Sequence, residues 1–176
     1  MKTAFKFVMV ALLGLTLAAC KKEEVKPEPT PEPTPQEQPQ QPETQPLPPL
    51  SDNTDPRNLD REGSLLSKRV ILFDFDKSTI RPEYREILAA HGEFMAANSN
   101  YQATLEGHAD ERGTREYNLG LGERRADSVS DVLDAQGAAG SQLSNVSYGE
   151  ERPVCTASNE SCWQRNRRVE IIYTRN

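Results

Sequence analysis

Apolar and polar positions alternate in three distinct rhythms along this chain. From Arg69 to Phe75 the sequence RVILFDF is almost continuously apolar, the pattern of a buried strand. Beyond Pro82, the residues Tyr84, Ile87, Leu88, His91, Phe94 and Met95 recur every three or four positions, which predicts an amphipathic helix. Tyr101 to Gly107 then switches to the two-residue period of a half-buried strand. The helical spacing returns from Thr114 to Gln136 and stops at Gly137. Leu143 to Tyr148 and Val169 to Thr174 supply two more strand-like runs. Strand, helix, strand, helix and two further strands make an α/β sandwich, with the helices packed on one face of a single sheet.

None of these rhythms extends upstream of residue 63. Between Lys21 and Glu62 the chain is rich in Pro, Glu, Gln and Thr, as in KPEPTPEPTPQEQPQQPETQPLPP. Such a segment has too little apolar surface to fold, and proline favours the extended polyproline form. Residues 20–62 therefore read as a tether, and some forty residues at roughly 3.1 Å each reach on the order of 100 Å. Residues 1–19 carry Lys2 and Lys6, an apolar stretch from Phe7 to Leu17 and small residues before Cys20, the layout of a secretory signal. The junction Leu17-Ala18-Ala19-Cys20 has the form of a bacterial lipobox, with Cys20 the acylated residue of the mature chain. Acyl chains, at about 0.8 kcal/mol per buried methylene, would hold the protein on a membrane without a spanning helix. Residues 63–176 remain as the folded domain.

Removing the signal takes away Lys2 and Lys6 but no acid, so the formal charge of −6 becomes −8. An acidic chain with few aromatics does not suit nucleic acid, whose phosphates call for clustered Lys and Arg. With Cys20 lipidated, Cys155 and Cys162 form an even pair in an oxidising compartment, and a disulfide between them is expected. Closing so short a loop stabilises by at most about 2.5 kcal/mol in the chain-entropy picture.

Candidate chemistry concentrates on the second helix. On a wheel of about 100° per residue, Asn118, Leu121, Gly122, Arg125, Val129, Val132 and Leu133 share the core-facing stripe. An arginine there calls for a carboxylate, because an unpaired buried charge is costly. Asp110, in GHADERG at the end of the second strand, is the nearest source. Asp76, just past the first strand, should lie beside it if the two strands are neighbours. Arg125 and Asp110 then form either a structural salt bridge or a clamp for a zwitterionic head, the guanidinium fork taking a carboxylate and the aspartate an ammonium.

Other chemistries are less well supplied by the sequence. ILFDFDKSTI, at 71–80, contains the Asp-x-Asp spacing of some phosphohydrolases, with Asp74 as the would-be nucleophile. Those enzymes also need a downstream lysine, and Lys77 is the last lysine in the chain. Asp74 reads instead as a loop-fixing residue. No metal is expected: His91 falls on the apolar face of the first helix, and His108 with neighbouring acids is a weak ligand set. No cofactor motif is present either, since the glycines of GLG at 120–122 lie inside a helix.

From about Val70 to Tyr173 the chain resembles the OmpA C-terminal-like domain family, and within it the peptidoglycan-associated lipoproteins. The resemblance is carried by FDFDKSTI at 73–80, EGHADERGTREYNLGLGERRADSV at 106–129, SYGEERP at 147–153 and NRRVEIIY at 166–173. It implies a βαβαββ fold with one mixed sheet, and a non-enzymatic protein of the outer membrane's periplasmic face. It further implies non-covalent binding of peptidoglycan through the meso-diaminopimelate head of the stem peptide. By position, Asp110 would take the ammonium and Arg125 the carboxylate. Asp76, Asn118 and Arg167 would complete the pocket, with Thr79, Arg112 and Leu121 at its rim. A TolB-like β-propeller protein is the implied partner, within a Tol-Pal-type system acting in envelope integrity and cell division. A lipoprotein that only binds other proteins is the alternative. The segment VCTASNESCWQR, with its cysteine pair, departs from the uncrosslinked segment common in the family.

Overall fold

A computed structural model of the chain describes residues 46–176. Signal residues 1–19, Cys20 and most of the expected tether lie outside the described residues. Four strands form one mixed sheet: β1 (Val70–Leu72), β2 (Tyr101–His108), β3 (Leu143–Gly149) and β4 (Arg168–Arg175), in the order β1-β4-β2-β3. β2 pairs parallel with β3 and antiparallel with β4, which also pairs antiparallel with β1. Two helices, α1 (Arg85–Ala97) and α2 (Arg115–Ala135), cover the sheet, and a short α3 (Glu160–Asn166) precedes β4. No helix among the described residues is long and apolar enough to cross a membrane.

The expected rhythms correspond to these elements, with three corrections. First, β1 is three residues long rather than seven. Past Leu72 the chain leaves the ladder, although Phe73 stays buried and its N–H still donates to the Arg167 carbonyl at 2.9 Å. Second, β1 and β2 are not neighbours, because β4 lies between them. Third, residues 46–62, expected as tether, pack against the domain. Asn58 donates to the carbonyls of Pro49 and Asp52, Asn98 donates to that of Thr54, and Leu59 joins the hydrophobic core. The proline-rich composition of the tether thus runs into a segment that does find burial.

The core lies between sheet and helices, with Ile71, Ala103, Leu105, Val169 and Ile171 facing Leu88, Phe94, Val129 and Leu133. Phe94 meets Tyr101 and Tyr173 edge to face, at 5.0 and 5.2 Å between ring centres. His91 belongs to this core: its Nδ1 bonds the Tyr173 hydroxyl at 2.9 Å and its Nε2 the Lys68 carbonyl at 3.1 Å. Thr114 caps α2 through its hydroxyl, which accepts from the Tyr117 N–H. At the other end Gly137 turns the chain away with φ 104°.

One contact sets how the second helix meets the sheet. A Cβ on Gly107 of β2 would fall 1.9 Å from the Gly122 carbonyl oxygen, and one on Gly122 would fall 2.4 Å from Ser147 Oγ. Backbone therefore rests on backbone, and the start of α2 is drawn over the C-terminal end of β2. This close seating carries Asn118, Leu121 and Arg125 to the place where the strand ends.

Candidate functional site

At that end of the sheet lies a cavity of about 210 Å³, lined by Phe75, Asp76, Ala109, Asp110, Arg112, Gly113, Tyr117, Asn118, Leu121, Arg125 and Arg167. The loops after β1 and β2 and the first half of α2 contribute most of it, and Arg167 arrives from the junction of α3 and β4. The crevice beyond the carboxyl ends of strands is where such sheets commonly take ligands.

Arg125 is fully buried, yet its expected partner is absent. Its Nε donates to the Lys77 carbonyl at 2.8 Å, Nη1 to that of His108 at 2.7 Å and Nη2 to that of Asp74 at 3.1 Å. Among the described residues no carboxylate reaches ion-pairing distance, so the anticipated salt bridge with Asp110 does not form. Three carbonyl dipoles hold the guanidinium in place, and its formal charge is paired with no carboxylate among the described residues. Burial, with the neighbouring charge of Arg167, lowers its pKa to about 10, and the group remains cationic at neutral pH. Two of its five N–H groups are not used by these bonds.

Asp110, only 3% exposed, is instead fastened by two other arginines. Its Oδ1 accepts from the Arg112 backbone N–H at 3.1 Å and from Arg112 Nε at 3.0 Å. Its Oδ2 accepts from Arg112 Nη2 at 2.7 Å and from Arg167 Nη1 at 3.1 Å. Burial pushes its pKa up, but these hydrogen bonds outweigh that and hold the carboxyl below the ordinary range. Asn118 adds a bond from its Nδ2 to the Asp110 carbonyl at 3.1 Å, and also donates to Glu150.

Asp76 sits in a tight turn closed by the Lys77 N–H to the Asp74 carbonyl, and it is the one non-glycine residue described with positive φ, at 56°. Asp tolerates that left-handed backbone better than most residues. Its exposed carboxylate accepts from the Tyr117 hydroxyl. Asp74 is held by Arg81 at 2.9 Å and Lys77 at 3.6 Å, and its carbonyl serves Arg125, so it does fix the loop.

Of the eight expected pocket residues, seven line the cavity. Thr79 does not: it is exposed beyond the turn and is not part of the lining. Asp76 and Asp110 share the cavity although their strands are not adjacent, because the turn after β1 and the loop after β2 both rise past the inserted β4. Phe75, Ala109, Gly113 and Tyr117 were not anticipated. Phe75 read as strand interior, and only the turn leaves it 54% exposed. Cys155 and Cys162 are bridged as expected, with Cα atoms 5.2 Å apart.

Comparison with known proteins places this geometry in context. The model of the OmpA family matches residues 72–167. A peptidoglycan-associated lipoprotein of Pseudomonas putida is 47% identical over 114 residues, covering 65% of this chain and 68% of the relative. That of Agrobacterium fabrum is also 47% identical, over 102 residues and 58% of each chain. The crystal structure of the peptidoglycan-associated lipoprotein from Burkholderia pseudomallei superposes with a TM-score of 0.65 at 36% identity, covering 66% of this chain and 98% of that one. These relatives are named for what they associate with, peptidoglycan. The chain belongs to the OmpA family and, within it, to the peptidoglycan-associated lipoproteins, which are not enzymes.

Proposed function

We propose that this protein anchors the outer membrane to the cell wall by gripping peptidoglycan non-covalently in the cavity at the end of β2. The observation that carries the reading is Arg125: a buried cation, hydrogen-bonded by carbonyls and lying over the Phe73 ring but paired with no carboxylate among the described residues, facing an open cavity. A ligand carboxylate would supply the missing countercharge and take the unused N–H groups. The side-chain head of meso-diaminopimelate offers such a carboxylate together with an ammonium. Asp110 and Asp76 are the acids that line the cavity. Asp110 is the position the family resemblance favours for the ammonium, with Asn118, Arg167, Arg112 and Leu121 shaping the walls. Because Arg112 already occupies two acceptor sites of Asp110, the ammonium enters by sharing or displacing that fork.

The names of the relatives support wall association, and the lipobox at Cys20 supports attachment to the periplasmic face of the outer membrane. Family resemblance extends the proposal to a TolB-like β-propeller partner and a Tol-Pal-type role in envelope integrity and cell division. The half-exposed Phe75 and Tyr117 at the same cavity support a shared surface, on which protein and peptidoglycan would compete. Sedimentation with purified sacculi tests the central point. Wild-type chain should pellet and be released by free meso-diaminopimelate, while a folded Asp110→Ala variant should stay in the supernatant. Pelleting of that variant at wild-type levels would remove Asp110 from the site.

A further inference from the structure

The segment from Val154 to Asn166 contributes no residue to the cavity lining, yet it is fastened to it from behind. The Cys155–Cys162 disulfide closes the segment once. Asn166 closes it again: its Oδ1 accepts from the N–H groups of Val154 and Cys155, and its Nδ2 donates to the Cys155 carbonyl. α3 is thereby fixed in place, and two of its side chains reach forward. Glu160 accepts from Arg167 Nη2 at 2.6 Å and lies 3.6 Å from Arg112 Nη1. Trp163 lays its ring 4.2 Å from the Arg112 guanidinium, which also lies 4.0 Å from the Phe75 ring. The Trp163 Nε1–H is held by Glu111 at 2.9 Å.

These contacts answer an electrostatic problem. Arg112, Arg125 and Arg167 converge on a cavity lined by only two aspartates. Their repulsion favours moving the least buried of them, Arg112, into water. A tryptophan face and an extra carboxylate oppose that movement, the first through its ring quadrupole and the second through its charge. We propose that Trp163 and Glu160 are positioning residues for the ligand site, acting through Arg112 and Arg167, and that the disulfide holds α3 where they can do so. This rests on the peptidoglycan reading above. It makes affinity depend on a staple whose cysteines do not line the cavity.

The test is calorimetric titration of the whole chain, in detergent, with a soluble muropeptide carrying meso-diaminopimelate. The variants are Trp163→Ala, Trp163→Phe, Glu160→Gln and the double variant Cys155→Ser, Cys162→Ser. Trp163→Ala and the double variant should each weaken binding about three- to tenfold, the size of a partly exposed cation–π contact, while Trp163→Phe retains most of the affinity. Trp163 is the chain's single tryptophan, so its fluorescence should also change on ligand addition. If the double variant fails to fold, the Trp163 pair, with the disulfide intact, decides. Binding by Trp163→Ala within twofold of wild type would overturn the inference and leave the peptidoglycan reading standing. Failure of wild type to bind the muropeptide would overturn both.

Discussion

Gln142 and Arg125 are both polar side chains sealed inside this domain, and each faces three main-chain carbonyls, Gln142 sharing its two N–H groups among them and Arg125 giving each its own. Gln142 serves Met95, Asn98 and Tyr101, where α1 ends and β2 begins, and its oxygen accepts from the Ala139 N–H. Its amide is neutral and its hydrogen-bonding capacity is used. Arg125 serves Lys77, His108 and Asp74 at the opposite end of β2, and there the similarity stops. It keeps a full charge, spare donors and an adjoining cavity. Gln142 ties chain segments together, whereas Arg125 does so and also presents a charge to whatever enters. The number of hydrogen bonds does not distinguish a structural polar group from a binding one; the residual charge and the space beside it do.

If that distinction holds, the two sites should respond differently to substitution. The largest effect is expected for Arg125→Ala. It should weaken sacculus binding by about 100-fold or more, as when a buried charge loses its partner. It should also cost about 3 kcal/mol of stability by orphaning carbonyls, measurable by urea denaturation. His91 extends the structural class, and its signature is pH. Burial lowers its pKa from 6.5 to about 4, so the unfolded chain binds the proton first. Stability from this group is complete above about pH 6.5 and is lost as pH falls toward 4, by about 3 kcal/mol at most. His91→Gln should flatten the fall in unfolding free energy across that window and leave peptidoglycan binding at pH 7 unchanged.

Gln142→Ala should cost about 2 kcal/mol in denaturation while the remaining folded protein binds sacculi normally. Loss of binding without loss of stability would break the comparison. Asp76→Asn preserves a residue that tolerates positive φ, so stability should change by less than about 0.5 kcal/mol while binding falls a fewfold. Thr79→Ala should be the quietest of all, within about 0.5 kcal/mol and without a measurable change in binding.

The sequence made the interior of α2 legible because a helix stacks residues three and four apart on one face, and Arg125 stood out as a charge among apolar neighbours. Asp110 followed from the adjoining strand end, while Asn118, Leu121, Arg112 and Arg167 were assigned to the pocket only through the family resemblance. What Arg125 bonds was not legible, since main-chain carbonyls carry no sequence signature and those of Asp74 and Lys77 lie some fifty residues upstream. The position of β4 between β1 and β2 was hidden for a related reason: strand order is decided by long-range pairing. α3 escaped notice because its seven residues are mostly polar, although Asn159 is a recognisable cap whose side chain accepts from the Cys162 N–H. The strap from Pro46 to Glu62 looked like tether because its proline content says nothing about Asn58 and Leu59, which do the anchoring.

The most direct test of the central claim compares two ligands that differ at the group Arg125 is held to bind. In a soluble muropeptide the α-groups of the third stem residue are tied up in peptide bonds, so lysine there presents a side-chain ammonium alone, whereas meso-diaminopimelate presents an ammonium with a carboxylate beside it. Titrated against the chain bound to sacculi, the muropeptide with meso-diaminopimelate should release it and the one with lysine should not, at equal ionic strength. Equal release by the lysine muropeptide would show that the buried guanidinium does not select the ligand.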